Sequence, residues 1–285
     1  MTTELEIVRT VADLRARVSG WRAEGETVAM VPTMGAIHDG HMSLVRQACD
    51  LADHTVSSIF VNPLQFGPSE DFEAYPRGEA RDAELLAAAG AELLYAPNGR
   101  EMYPDGFATT VHVARLTDGL CGASRPDHFD GVATVVAKLL LQCGPDIAIF
   151  GEKDYQQLLV IKRLVRDLNI PVEIVGGASV REGDGLALSS RNAYLSAAER
   201  ETAPLLQAAI QQAAHEMAAG LSSERALETA RAALEAAGFQ VDYLEARDPE
   251  TLAPLSGTVS SGRILVAAFL GKTRLIDNVP VPPEA

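Results

Sequence analysis

The chain has 285 residues, 47% of them hydrophobic, with 39 acidic against 24 basic side chains and a formal net charge of −15. That length permits one large domain or two ordinary ones, with a core that needs no disulfides. The acidity is spread along the chain without a charged tail, which excludes a general nucleic-acid binder, because phosphate backbones are held by surplus Lys and Arg.

In chain order, residues 26–33 (ETVAMVPT) predict a strand, 41–51 a helix and 55–61 (TVSSIFV) a second strand. The Ala/Leu-rich run 79–89 predicts a helix that Gly90 stops, and 91–97 (AELLYAP) a short strand. Residues 129–143 carry an apolar face at helical spacing, 146–150 (DIAIF) read as a buried strand, 156–168 as an amphipathic helix and 171–175 as a strand. Strands alternating with helices imply a parallel α/β sheet, whose ligands bind beyond the carboxyl ends of the strands. From about residue 180 the character changes. Helices are predicted at 197–218 and 223–237, with Ser222 or Ser223 as N-cap and Gly238 as stop, then strands at 241–246, 263–270 and 273–277. The expected organisation is a Rossmann-like parallel-sheet domain over 1–180 and a smaller α+β domain over 181–285. The Gly-rich stretch 176–185 would be the hinge.

Three Cys (Cys49, Cys121, Cys143) with no CxxC are too scattered for a disulfide framework and read as small buried apolar residues in a reducing compartment. No basic-then-apolar signal opens the chain, and no apolar run reaches about 18 residues. A soluble cytoplasmic protein is the expectation.

Four segments carry chemistry. VPTMGAIHDGH (31–41) ends a strand, turns on Gly35 and starts a helix with His38 and His41 three apart on one face. A helix N-terminus offers N–H groups and positive dipole to a triphosphate, and two imidazoles add donors without the full cost of buried cations. A zinc site is disfavoured, because neither HExxH spacing nor a Cys pair is present. FVNPLQF (60–66) puts Asn62 and Gln65 at a strand's carboxyl end, where neutral donors and acceptors fix a small polar substrate. FGEKDYQQL (150–158) sets Lys153, one of only four lysines, at a strand-to-helix turn, with Asp154 and Gln157 following. GLALSSRNAYL (185–195) clusters Ser189, Ser190 and Arg191, hydroxyls and a guanidinium suited to phosphate.

Together with AYPR (74–77), GASRPDHFDGVATVV (122–136), REGDGLALSSRNAYL (181–195) and TRLIDN (273–278), these segments resemble the pantoate–β-alanine ligase (pantothenate synthetase) family over essentially the whole chain. That family belongs to the nucleotidyltransferase superfamily, which shares a Rossmann-like fold with class I aminoacyl-tRNA synthetases. HDGH corresponds to the superfamily's HIGH-like element and LSSRN to its KMSKS-like loop. The resemblance implies adenylation of (R)-pantoate by ATP, then attack of β-alanine on the pantoyl adenylate. By the same resemblance, Met34, Gly35, Ala36, Ile37, His38, Asp39, Gly40, His41, Gly151, Glu152, Lys153, Asp154, Val180, Leu188, Ser189, Ser190 and Arg191 contact ATP. His41 would be the acid, with His38, Lys153 and Arg191 also catalytic. Gln65 and Gln157 would hold pantoate, with Asn62 and Tyr75 nearby. The substrates would be ATP, (R)-pantoate and β-alanine, with neither nucleic acid nor membrane as partner, and the protein would be a homodimer. Mg²⁺ is expected with ATP, held chiefly by phosphates and water. Asp82 is a candidate protein ligand, although the adjacent Arg81 opposes a metal there. The alternatives are a nucleotidyltransferase adenylylating another small acid, which FVNPLQF and Gln157 oppose, and an ATP-sensing regulatory module, which the full set of polar groups opposes.

Overall fold

The computed structural model describes residues 5–68 and 70–282. The chain runs β1 (Glu6–Val8), α1 (Val11–Ala23), β2 (Val28–Thr33), α2 (Asp39–Leu51), β3 (His54–Ile59), α3 (Glu79–Ala89), β4 (Leu93–Tyr95), the single turns α4 (Gly99–Met102) and α5 (Cys121–Ser124), α6 (His128–Cys143), β5 (Ile147–Gly151), α7 (Tyr155–Asp167) and β6 (Glu173–Gly177). It continues with α8 (Ala197–Thr202), α9 (Leu205–Ala218), α10 (Ser223–Ala236), β7 (Gln240–Arg247), β8 (Gly262–Leu270) and β9 (Thr273–Val281). Two compact units result, Met1–Glu152 with Gln157–Ala178, and Lys153–Gln156 with Ser179–Ala285. The second thus starts just before residue 181 and also takes Lys153–Gln156, which nothing in the sequence signals.

In the first unit six strands form one sheet in the order β1-β4-β3-β2-β5-β6, every pair parallel. The order reverses between β2 and β5, so the loops after those two strands flank the switch point of the sheet. Helices cover such sheets on both faces, which is why β2 and β5 read as nearly continuous apolar runs. Val31, Val45, Ala48, Leu86, Leu94 and Ile149 share one core cluster. Each large aliphatic side chain fully buried in this way contributes roughly 1.5–3 kcal/mol. Gly176 and Gly177, expected at a hinge, are instead the last residues of β6. A Cβ on Gly177 would lie 2.1 Å from Leu44 Cδ2, so the missing side chain lets β6 approach α2.

The second unit packs α9 and α10 on the antiparallel sheet β7-β8-β9, with Leu206, Ile210, Leu234, Ile264 and Val266 in its core. The single helix expected over 197–218 is two, because Pro204 has no N–H and caps α9 at its start. Gly238 (φ +92°) follows the end of α10 as expected, whereas Ser222 occupies the N-cap position without a side-chain cap bond.

β1 and α1 have no counterpart in the sequence expectations. Cys121 and Cys143 are buried, and burial pushes the Cys143 thiol up to about 12. Cys49 is exposed, contrary to its reading as buried. Among the described residues no helix is long and apolar enough to cross a membrane.

Candidate active site

The β2–α2 junction is fixed by a buried carboxylate. Gly35 and Ala36 both adopt positive φ (83° and 52°), turning the chain sharply out of β2. The Ala36 N–H donates to Asp82 Oδ2 at 2.8 Å and the Ile37 N–H to Asp82 Oδ1 at 2.9 Å. Asp82, on α3, is only 4% exposed. A Cβ on Gly35 would come within 3.0 Å of Asp82 Oδ2, so both the positive φ and the close carboxylate select glycine. The Gly35 N–H donates to Thr33 Oγ1, whose own proton goes to the Ser58 carbonyl.

His38 is the N-cap of α2, in extended conformation. Its Nδ1 accepts from the Gly40 N–H at 3.2 Å, and His41 Nδ1 accepts from the His38 N–H at 3.4 Å. The pair forms a reciprocal capping box built from imidazoles, with ring centroids 4.1 Å apart. A ring nitrogen that accepts carries no proton, so each neutral ring bears its proton on Nε2. Both histidines are thereby set as Nε2–H donors at the N-terminus of a 13-residue helix, where the dipole favours an anion. Asp39 is exposed, whereas Met34, Gly40 and His41 are half-buried.

The polar cluster after β3 is organised by Asn62, which is fully buried. Its Nδ2 donates to Gln65 Oε1 at 3.0 Å and to the Gly131 carbonyl at 3.1 Å. Its Oδ1 accepts from the Leu64 N–H and from the Tyr103 hydroxyl at 2.7 Å. Burial pushes the Tyr103 phenol up, which keeps it a donor. All four bonding directions of the Asn62 amide are used within the protein. Asn62 therefore orients Gln65, and a direct substrate contact is not its geometry. With Oε1 occupied, Gln65 presents its Nε2 donor, which lies 3.1 Å from Met34 Sδ. The Gln65 carbonyl in turn accepts from His128 Nδ1 at 2.8 Å and from Arg125, whose guanidinium forms a two-pronged pair with Glu70. Burial opposes the Glu70 charge, but Arg125 outweighs it and holds the carboxyl below its ordinary range. Gly131 permits this layout: a Cβ there would lie 2.2 Å from the Leu64 carbonyl oxygen. Tyr75 is buried edge-on against Phe66, and Arg77 of the same AYPR segment donates to the Phe72, Glu73 and Tyr75 carbonyls. Gly151 ends β5, Glu152 opens the 3-10 turn Glu152–Asp154, and Gln157 is half-buried on the first turn of α7.

In the second unit Val180 and Leu188 are paired by the Leu188 N–H donating to the Val180 carbonyl at 3.0 Å. Ser189 caps the 3-10 turn Ser190–Tyr194, its Oγ accepting from the Arg191 N–H at 3.2 Å. Asn192 holds this segment to Glu182 and to the Ala187 carbonyl. Lys153 Nζ lies 3.9 Å from Asp154 Oδ2, with the lysine side chain mostly buried and the aspartate half-exposed. Within this unit the structure brings Val180 and Leu188 together, and Ser189 with Arg191.

Asp82 does not fit as a protein ligand for a metal ion. Both Asp82 oxygens already accept loop amides, so the carboxylate considered as a ligand is committed to the backbone. Among the described residues no group of three or more His, Cys, Asp or Glu side chains is placed to hold a metal ion. Sequence reasoning gave no role to Tyr103, Arg125 or His128. The last two lie in the 122–136 segment, which carried the resemblance without assigning them a task.

A parallel sheet that reverses between β2 and β5, with a glycine turn feeding a capped helix N-terminus at the reversal, defines a Rossmann-like α/β protein of the nucleotide-binding type. A profile of the pantoate-beta-alanine ligase family matches residues 6–280. The pantothenate synthetase of Paramagnetospirillum magneticum is 58% identical over 99% of this chain and 100% of its own length. That of Caulobacter vibrioides is 58% identical over 96% of this chain and 98% of its own. The crystal structure of pantothenate synthetase from Thermus thermophilus superposes with a TM-score of 0.92 at 52% identity, covering 98% of this chain and 100% of that one. A pantoate-beta-alanine ligase from Francisella tularensis, complexed with beta-gamma ATP and beta-alanine, does so at 0.81 and 32% identity, covering 96% and 97%. The chain belongs to the pantoate–β-alanine ligase family.

Proposed function

We propose that this chain condenses (R)-pantoate with β-alanine using ATP, releasing AMP and pyrophosphate. The observation that carries the reading is the His38–His41 capping box at the switch point of the sheet, in a chain whose residues 6–280 match the family. In the first step the pantoate carboxylate attacks the α-phosphorus of ATP and pyrophosphate leaves. In the second the β-alanine amine attacks the activated acyl carbon and AMP leaves. Adenylation supplies the leaving group, so no protein nucleophile is needed, and catalysis consists of positioning and charge stabilisation.

The Nε2–H groups of His38 and His41, aimed from a helix N-terminus, donate hydrogen bonds to phosphate oxygens, and His41, the acid by resemblance, acts through its Nε2–H bond to the departing pyrophosphate. Residues 34–41, Gly151 and Glu152 in the first unit are assigned to ATP. The resemblance likewise assigns Lys153, Asp154, Val180, Leu188, Ser189, Ser190 and Arg191, in the second unit, to ATP. The Gln65 carboxamide, oriented by Asn62, donates to pantoate, with Gln157 its second polar contact and Tyr75 shaping the surroundings. Mg²⁺ would accompany ATP, neutralising phosphate charge while held by phosphates and water. The protein is proposed to act as a cytoplasmic homodimer.

The test is AMP release measured with pantoate and β-alanine together, then with each omitted, and with other small acids replacing pantoate. AMP formation that requires both substrates is expected. AMP release independent of pantoate, or faster with another acid, overturns the assignment.

A further inference from the structure

The terminal segment TRLIDN takes part in no step above, yet the structure ties it to Lys153. The Asn278 Nδ2 donates to the Lys153 carbonyl at 2.9 Å, across 125 positions of sequence. Its Oδ1 accepts from Arg263 Nη1 at 2.8 Å. A guanidinium only donates and a carbonyl only accepts, so the two partners allow one orientation of the amide. Asn278 and Arg263 are both buried, on the adjacent strands β9 and β8. The Arg263 guanidinium is itself located by the Tyr155 ring, 3.7 Å beneath it, and the Tyr155 hydroxyl donates to the Pro249 carbonyl at 2.8 Å. Asp277, next in line, forms a two-pronged pair with Arg181 and accepts the Asn278 N–H. These bonds all lie within the second unit, to which Lys153–Gln156 belong.

We propose that Asn278 is a positioning residue that fixes the backbone of Lys153, and through it the base of the side chain that holds the ATP phosphates. The proposal rests on the reading of Lys153 as a phosphate ligand. A long ammonium side chain gains most from a fixed base, since less freedom is lost when it engages an anion.

The test is a double-mutant cycle of Asn278→Asp and Asn278→Ser against Lys153→Ala. It reads pantoate-dependent ATP–pyrophosphate exchange and calorimetric affinity for a non-hydrolysable ATP analogue, with thermal unfolding alongside. N278D keeps the acceptor for Arg263 but turns an oxygen toward the Lys153 carbonyl. N278S removes the donor without adding charge, so one variant folds even where a buried carboxylate is not tolerated. Each Asn278 variant is expected to weaken the analogue about fivefold, the worth of one hydrogen bond, with the KM for pantoate unchanged. In the K153A background the same substitutions are expected to weaken it no further. Equal losses in both backgrounds, or wild-type affinity and exchange in both Asn278 variants, overturn the proposal. K153A with wild-type exchange and affinity instead overturns the assignment of Lys153 itself.

Discussion

His38 and His41 close a reciprocal cap on the helix they begin, His38 Nδ1 accepting from Gly40 and His41 Nδ1 from His38. One nitrogen of each ring thus serves the fold and the other is proposed to serve the substrate.

Asparagine at position 38 separates those two duties. Asn is as good an N-cap as any residue, so His38→Asn is expected to retain wild-type stability to within a few tenths of a kcal/mol. His38→Ala loses the cap and about 1 kcal/mol. Both are expected to reduce pantoate-dependent ATP–pyrophosphate exchange by about tenfold or more, the effect of a lost positioned donor. Calorimetry and exchange kinetics on the two variants check this. Normal exchange in H38N would remove His38 from the chemistry.

Asp82 gives a second separation. Each of its oxygens takes a backbone N–H from the turn that leads into His38, and hydrogen bonds to a charged group are worth roughly 1.5–3 kcal/mol. Asp82→Asn replaces one acceptor by a donor, so stability is expected to fall by about 2 kcal/mol and the KM for ATP to rise. The Mg²⁺ concentration giving half-maximal activity is expected to stay unchanged. A Mg²⁺ titration of D82N at saturating ATP is the check, and a clear shift in its midpoint would make Asp82 a metal ligand after all.

His54 predicts a pH response at the start of β3. Its ring lies flat on Trp21 at 4.2 Å and bonds Glu26 at 2.7 Å and Glu92 at 3.0 Å. Partial burial opposes the charge, but the two carboxylates outweigh it and raise the pKa of the imidazolium. Asp53 adjoins it in sequence, and Arg17 lies over the other partner of the stack at 4.7 Å from the Trp21 ring. A raised folded pKa means stability fully present below the ordinary value of about 6.5 and lost as pH rises through the folded value. The pH-dependent part is expected to be about 1 kcal/mol, because both carboxylates are partly exposed. Trp21 is the only tryptophan in the chain, so its fluorescence reports this site alone. The emission is expected to titrate above pH 6.5 in the wild type and to be flat in His54→Gln. An identical titration in both would assign the transition elsewhere.

Much of the fold was legible because it is written locally. Alternation of apolar runs with helical spacing identified β2, β3, β5 and α6 to within a few residues, and Gly90 ended α3 where a positive φ of 107° was needed. β1 escaped because only one of its three residues is buried and no apolar run marks it, whereas the equally short β4 is buried throughout. α8 and α9 were merged because Ala-rich composition runs through Pro204, and the break comes from proline's missing N–H. The candidate site divides in the same way. His38, His41, Gln65 and Lys153 stood out as candidates at the ends of strands, and Arg191 in a Ser-Ser-Arg loop beyond residue 180. The buttresses were not: Asp82, Tyr103, Arg125, His128 and Asn278 act on partners 41 to 125 positions away.

Residue order alone thus established the class of fold and the family, and it nominated the side chains proposed for the chemistry, because propensity, turn formation and motif spacing act over a few neighbouring residues. Folding decided which oxygen of which carboxylate meets which amide. Asp82 became a loop clamp and Asn62 an orienting group because the packed sheet placed backbone donors against them, and a buried polar atom must take the partners within its reach.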